Sequence, residues 1–465
     1  MMKITPHKSE SIFIFLYLIM LHFSQIAVAH DHKETISDVE KVAQDAKLLV
    51  IGPGYIKNLR WDLPLTLKGL HGSKIVWKSL NPEYLSDAGK LFKSSPRTGK
   101  KVKVKMIATL SAGNIRRKKS FEISIAHEEQ DYQGYLFTYF EGSGPRQMDE
   151  QIRFAASRDA VNWFALNKNL PVIASEEISG TGGIRDPHIL RGEDSKHFYM
   201  VATDMNTAKN GWAHNPGIVM LKSADLINWK HGFIDLEKTY PVKFKNIQWV
   251  WTPQSIYDPE AGKYMVYFTV KYKDDPKLDF YAAYATEDFT AFEKEPTLLF
   301  SPKYGAIDGD IIYKDGTYHF FFKGNTKDEQ GKEIRNGIQQ ATAQTLRGPW
   351  IEDFKYLDAY SPRKIVVEGS SIFKLNNSDT YILMYDLYTN HRYEFQRSKD
   401  LYTFSTTPES FTKNFYPRHG SVMGITAEEG RRLNKKWNGV PESLLKMPEK
   451  QINLLKIKIH NYGKS

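Results

Sequence analysis

One short aromatic pattern recurs five times along the chain. The stretches Tyr135–Phe140, Tyr199–Asp204, Tyr264–Thr269, Tyr318–Lys323 and Tyr381–Asp386 are each a run of aromatic and aliphatic residues bounded by turn-forming residues, which predicts a strand. A second piece follows four of them: a small residue, then any residue, then an acid, with an aromatic a few positions on. It reads Ser157-Arg158-Asp159 to Trp163, Ser223-Ala224-Asp225 to Trp229, Thr286-Glu287-Asp288 to Phe292, and Ser398-Lys399-Asp400 to Phe404. The fourth unit carries Leu346-Arg347-Gly348-Pro349-Trp350 instead. A third piece precedes the aromatic strand in four units: Arg185–Ile189, Trp251–Ile256, Asp308–Ile312 and Glu368–Ile372. The first unit lacks it, and Arg418–Met423 supplies it at the far end. Units of roughly 60 residues with three or four strands each predict a five-bladed β-propeller over 131–428, closed by the C-terminal strand pairing with the first blade.

The pattern before residue 131 is different. Ile75–Ser79, Val102–Leu110 and Ser120–Ile125 alternate apolar and polar residues, with turns at Asn81-Pro82 and Asp87–Lys90. This predicts a small β-sandwich over 37–127, and with the propeller an all-β chain. The first 29 residues read as a cleavable secretory signal: a basic start (Lys3, His7, Lys8), an apolar run from Ile12 to Leu21, then Ala27-Val28-Ala29. A periplasmic or secreted protein is therefore expected, with no membrane span after signal removal. Residues 429–465 form a polar and basic extension that ends in an alternating run from Ile452 to Ile459, expected to dock outside the ring as a helix or strand.

Composition narrows the chemistry. Hydrophobic residues make up 41% and aromatics 13%, ample for a core. There is no cysteine, which excludes disulfides, thiolate metal ligands and a cysteine nucleophile. The net charge of +10 is spread along the chain without a basic stripe or a nucleic-acid module, so no nucleic-acid partner is expected and the chain is read as a monomer.

The candidate chemistry lies at the starts of the inner strands, which ring one mouth of a propeller. Three of them carry an acid there: Asp186, Asp308 and Glu368. Alone, Arg185-Asp186-Pro187 is more readily a satisfied turn. Three acids in one cleft are another matter. They push one another's pKa values apart, and glycoside hydrolysis needs one carboxyl protonated and another ionised.

The succession Asp-Pro, Trp-x-Pro, Ile-Asp, Glu-Gly on four blades, closed by a His-Gly strand, resembles glycoside hydrolase family 43 over roughly 131–428. The Leu-Pro start, the Ile-Val-Trp-Lys-Ser strand and the Lys-Ser-Phe-Glu-Ile-Ser-Ile end of the first region resemble reduced bacterial immunoglobulin-like domains. The first resemblance implies an inverting enzyme with Asp186 as general base, Asp308 as modulator of the acid and Glu368 as general acid. Two departures stand out. Asp308-Gly309-Asp310 replaces an Asp-Pro, which makes Asp310 a rival modulator, and Gly-Ser follows Glu368 where Gly-Pro is usual. Trp251 is placed to stack on a sugar, with Trp249 as its rival. Gln254, His188 and Arg392 are counted as substrate-binding, with Arg392 also approaching the modulating Asp. His419, on the closing strand, is the candidate for an axial calcium or chloride held through waters; no cofactor is required.

These readings converge on an enzyme that removes terminal pentose or furanose residues from an oligo- or polysaccharide such as arabinan or arabinoxylan. Exo-α-L-arabinofuranosidase comes first, then β-xylosidase or galactofuranosidase. A retaining fructan hydrolase would need an Asn-Asp-Pro between Gly134 and Gly144, and none is there. A glycan-binding propeller without activity would be expected to lack at least one of the three acids, and all three are present.

Overall fold

The computed structural model of the chain describes residues 36–445 except 143–147, 328–332, 362–364 and 391, and leaves out the side chains of 276, 325–327 and 333–336. The signal segment and the run Ile452–Ile459 lie outside the described residues. The fold is mostly β-strand, and no described helix is long and apolar enough to cross a membrane. Two compact units are distinguished. One comprises the chain up to Val50 with Leu65–Lys78 and Ile107–Ser120; the other comprises Ile51–Pro64, Ser79–Met106 and the chain from Phe121 onward.

In the first unit, the helix Asp38–Leu48 opens with a capping box. Ser37 Oγ accepts from Glu40 N, and Glu40 Oε2 accepts from Ser37 N at 3.0 Å. Asp45, buried on that helix, accepts from the backbone N–H groups of His71 and Ser73 at 2.8 and 2.9 Å. The early strands are β1 (Lys74–Ser79), β2 (Lys103–Ala112) and β3 (Ile115–Ser124), ordered β1-β2-β3 in one sheet. Their alternation shows in what they bury: Ile75, Trp77 and Ser79 on β1, and Val104, Met106, Ala108 and Leu110 on β2.

From Tyr132 the chain makes five sheets. The first holds β4 (Tyr132–Tyr139), β5 (Arg153–Ser157) and β6 (Asn162–Ala165). Next come β7 (Ile184–Arg191), β8 (Phe198–Asp204), β9 (Gly217–Ser223) and β10 (Trp229–Asp235), then β11 (Ile247–Asp258), β12 (Lys263–Tyr272), β13 (Asp275–Tyr284) and β14 (Thr297–Phe300). The fourth sheet is β15 (Ala306–Lys314), β16 (Thr317–Lys327), β17 (Glu333–Ala343) and β18 (Ile351–Glu352). The fifth is β19 (Glu368–Lys374), β20 (Tyr381–Leu387), β21 (Arg392–Ser398) and β22 (Glu409–Ser410). Each of these four sheets is ordered as its strands follow in the chain. The last strands, β23 (Thr412–Lys413) and β24 (Ser421–Thr426), go back to the first sheet, whose order is β23-β6-β5-β4-β24. There β24 runs antiparallel to β4, with Val422 opposite Phe137, as the repeat predicts.

Burial of the aromatic strands holds the sheets together. Leu136 and Phe154 of the first sheet share a cluster with Ile189 and Met200 of the second. Val201 joins Val266 and Phe268; Tyr267 and Phe280 join Phe320; Phe321 joins Leu383; and Met384 and Phe395 join Phe137. Each sheet thus packs on the next and the last on the first. The helix Ala427–Trp437 adds Leu433 and Trp437 to the first cluster.

The small-x-acid motif proves to be a turn device. Ser157 Oγ accepts from Ala160 N at 2.9 Å, and Asp159 Oδ1 accepts from Val161 N and Asn162 N. The same pattern recurs at Ser223/Asp225 and Ser398/Asp400. The residue after the acid takes a left-handed φ each time: Ala160, Leu226, Phe289 and Leu401.

Candidate active site

The first strand of each of the second to fifth sheets carries a bulge at the same place, and β11 has a second irregularity between Ile247 and Trp249. Pairing skips between Arg185 and His188 on β7, Trp251 and Gln254 on β11, Ile307 and Asp310 on β15, and Glu368 and Ser371 on β19. In each bulge two residues oppose one, and the first is left-handed: Asp186 (φ 51), Thr252 (φ 45), Asp308 (φ 57) and Gly369 (φ 67). A bulge with a left-handed first residue favours glycine, and only one of the four is glycine. For Thr252, β-branched, the conformation is costly and has to be held by its surroundings. Hydrogen bonds from sheet to sheet hold it. Thr252 N donates to Thr203 Oγ1 and Asp308 N to Thr252 Oγ1, both at 3.0 Å, and Gly369 N donates to Asp308 Oδ2 at 2.8 Å. The bulges turn Asp186 and Asp308 out of their strands' alternation toward one another.

They meet at a pocket of about 130 Å³. Asp186, Asp308 and Glu368 all line it, together with Lys323, Arg418 and His419. His419 Nδ1 stands 3.7 Å from Asp186 Oδ1 and 3.8 Å from Asp308 Oδ1, buried and without a hydrogen-bond partner among the described residues. Glu368 sits between two cations: Lys323 Nζ lies 2.8 Å from its Oε2 and Arg418 Nη2 3.0 Å from its Oε1. Arg418 Nε also donates to Asp386 Oδ2.

The apolar walls are Phe140, Trp212, Trp251 and Ile307. Trp249 stacks on Trp251 with ring centres 4.3 Å apart and planes 9° from parallel, and Lys271 Nζ caps Trp249 at 4.4 Å. Trp251 is therefore the ring that meets the pocket, and Trp249 its backing. The Arg185 guanidinium lies between the rings of Phe140 and Trp212, at 4.8 and 4.9 Å, and reaches Glu150 Oε1 at 3.3 Å. Glu150 also accepts from Thr207 Oγ1 at 2.8 Å, which ties the Trp212 loop to the same anchor.

Burial and charge set the protonation preferences. Burial pushes the Asp186 carboxyl above the usual range, against the pull of Arg185 and His419. Burial acts the same way on Glu368, but Lys323 and Arg418 outweigh it and hold that carboxyl low. Burial raises Asp386 to about 7 despite Arg418. Of the two, Glu368 is thus shifted toward its carboxylate form and Asp186 toward its protonated form.

The rival acids separate. Asp310 lies behind the pocket, accepts from Ile372 N at 2.8 Å, and is raised by burial to about 7. Asp308 lines the pocket. Three expected substrate-binding residues fall outside the pocket lining. His188 is buried, accepting from Ser255 N at 3.3 Å and lying 3.9 Å from Asp310 Oδ1. Gln254 is buried and accepts from Tyr267 OH at 3.5 Å. Arg392 pairs with Glu394, not with a modulating Asp, and more than half of its side chain is exposed. His188 and Gln254 follow the bulges, which return them to the inward alternation of their strands; Arg392 begins the third strand of its sheet, β21.

Sequence reasoning missed Lys323, Arg418, Asp386 and Trp212. A signal was present for three of them. Lys323 and Asp386 end two of the aromatic runs, opposite Ile307 and Glu368 of the strands they pair with, and Arg418 immediately precedes His419.

Among the described residues no group of three or more His, Asp or Glu side chains is arranged to hold a metal ion. Calcium takes six to eight oxygens. His419 offers one nitrogen facing two carboxylates, so the residues present do not fit a direct calcium cage.

The profile of a family described as a probable glycosyl hydrolase domain, related to glycoside hydrolase family 43, matches residues 130–431. One described as an atrophied bacterial Ig domain matches 42–128. An alpha-L-arabinofuranosidase of Bifidobacterium longum subsp. longum is 24% identical over 459 residues, an alignment that covers 83% of this chain and 42% of that protein. The chain thus spans less than half the length of that curated relative. Two similar solved structures are an alpha-L-arabinofuranosidase from Clostridium thermocellum and an endo-arabinase from Bacteroides thetaiotaomicron. The first has a TM-score of 0.42 and 10% identity, covering 69% of this chain and 92% of that one. The second has a TM-score of 0.40 and 16% identity, covering 63% and 88%.

Proposed function

The chain belongs to the glycosyl hydrolase family related to glycoside hydrolase family 43, and from that membership we propose that it is an inverting exo-α-L-arabinofuranosidase acting on plant polysaccharide outside the cytoplasm. The observation that carries the proposal is the meeting of Asp186, Asp308 and Glu368 in one small pocket walled by Trp251 and Trp212. A pocket, unlike an open groove, suits a terminal sugar. In this reading the five sheets are the blades of a propeller and the region before them is an Ig-like sandwich.

The reaction needs no cofactor. Glu368 gives its proton to the glycosidic oxygen as the bond from that oxygen to the anomeric carbon breaks, its electron pair staying on the oxygen. A water attacks the anomeric carbon from the opposite face and loses its proton to Asp186. Asp308, hydrogen-bonded to the backbone beside Glu368, orients the acid. For Glu368 to be the donor, bound sugar hydroxyls must draw Lys323 away from it and Arg418 must be shared with another carboxylate, so that burial then raises its pKa. The protonation preferences of the free site favour one second reading, with Asp186 as donor and Glu368 as base.

Aryl arabinofuranosides of graded leaving-group ability separate the two. Removing the acid spares dinitrophenyl substrates, which need no proton, whereas removing the base slows every substrate. Glu368→Gln is expected to keep activity selectively on the activated substrate and Asp186→Asn to lose it on all. The reverse pattern exchanges the roles. Retention of configuration at the first-formed anomer, read by proton NMR, overturns the inverting assignment.

A further inference from the structure

We infer that Asp386 is a positioning residue for Glu368, acting through Arg418. The inference rests on the reading of Glu368 as the acid. Glu368 and Asp386 are directly opposite each other in the pairing of β19 with β20. Arg418 enters ahead of β24 and forks between them, Nε to Asp386 Oδ2 and Nη2 to Glu368 Oε1. A planar fork can serve two carboxylates at once, and a lysine could not hold both in the same geometry. Asp386 is 2% exposed, and the only bond to its carboxylate found among the described residues is the one from Arg418.

The charges facing the pair come from every neighbouring sheet. Glu368 faces Lys323 of β16, Arg418, Asp386 of β20 and, farther off, Arg185 of β7. Asp386 faces Arg418, Glu368 and His419, with the Tyr393 hydroxyl of β21 near it. Glu368 thus has two cations against it, and Asp386 takes a share of one. Without the Asp386 charge, the whole field of Arg418 falls on Glu368. The acid then loses its proton at lower pH, and less of it is in the donating form near neutrality.

The test compares the wild type, Asp386→Asn and Glu368→Gln on a dinitrophenyl arabinofuranoside and an arabino-oligosaccharide, with kcat, which titrates the substrate-bound enzyme, followed against pH. Asp386→Asn is expected to move the alkaline limb down by about one pH unit and to slow the oligosaccharide about tenfold more than the activated substrate. Asp386→Glu, which keeps the charge, is expected to restore the limb. An unmoved limb with equal loss on both substrates means a merely structural role and overturns the inference. Glu368→Gln reads the underlying assignment separately. If that variant shows no preference for the activated substrate, Glu368 is not the acid and the inference falls with that reading. If it does show one while Asp386→Asn leaves the limb in place, the inference alone falls. Should the Asn variant not fold, Arg418→Gln carries the test in the opposite direction. With the cation gone the limb rises, and an unmoved limb overturns the coupling.

Discussion

His188 offers a prediction whose size can be worked from its surroundings. It is buried behind the pocket, with Nδ1 accepting from Ser255 N. Burial, with the nearby charge of His419, lowers its pKa to about 3 from an ordinary 6.5. The folded value lies below the unfolded one, so the unfolded chain takes up the proton first as pH falls. The stability tied to the neutral ring is complete above about pH 6.5 and is lost progressively toward pH 3. The gap corresponds to about 5 kcal/mol at its limit, and to about 2 kcal/mol between pH 7 and pH 5. Asp310 works the other way. Its carboxyl is raised to about 7, so it loses stability as pH rises toward that value, and the wild-type curve alone cannot isolate His188. The informative quantity is the difference from His188→Gln, whose amide oxygen can still accept from Ser255 and does not titrate. Urea unfolding followed by tryptophan fluorescence, at pH 7 and pH 5, gives both free energies. The wild type is expected to lose about 2 kcal/mol more than the variant over that interval. Parallel losses would refute the reasoning and place the imidazole in contact with water.

Three further outcomes follow from the same geometry. Lys323→Met removes one cation from Glu368, so the alkaline limb of kcat/KM should rise by about one pH unit, opposite in sign to Asp386→Asn. Trp212→Ala takes away a pocket wall and one of the two rings holding Arg185; it should raise KM about five- to tenfold while a thermal melt stays close to the wild type. A Cβ at Gly420 would lie 2.0 Å from the Thr138 carbonyl oxygen. Gly420→Ala should therefore push β24 off β4 and cost about 1–3 kcal/mol, seen as a lower melting temperature.

Much of this molecule is written in local pattern. Aromatic runs bounded by turns marked one strand in each of the five sheets, because a strand buried on both faces needs apolar residues along its length. The Ser-x-Asp motif marked the turns, because its side chains bond to backbone groups only two or three residues away. The stray copy of the third repeated piece at Arg418–Met423 announced its pairing with β4, because a first sheet lacking that strand would keep an open edge. The acids Asp186, Asp308 and Glu368 could be picked out because the repeat put them at equivalent places.

Other features were decided only when the sheets came together. Asp308 and Asp310 are two apart, and in a regular strand both would point the same way. The bulge at Asp308, held by Thr252 and Gly369 from neighbouring sheets, sends one acid into the pocket and leaves the other behind it. Nothing local announces a left-handed Asp308, because the force that holds it comes from residues more than fifty positions away. The same is true of the charge on Glu368. Lys323 and Arg418 reach Glu368, and Arg418 also reaches Asp386, from separate strands or strand approaches, and these long-range contacts, not spacing in the chain, hold the Glu368 carboxyl low.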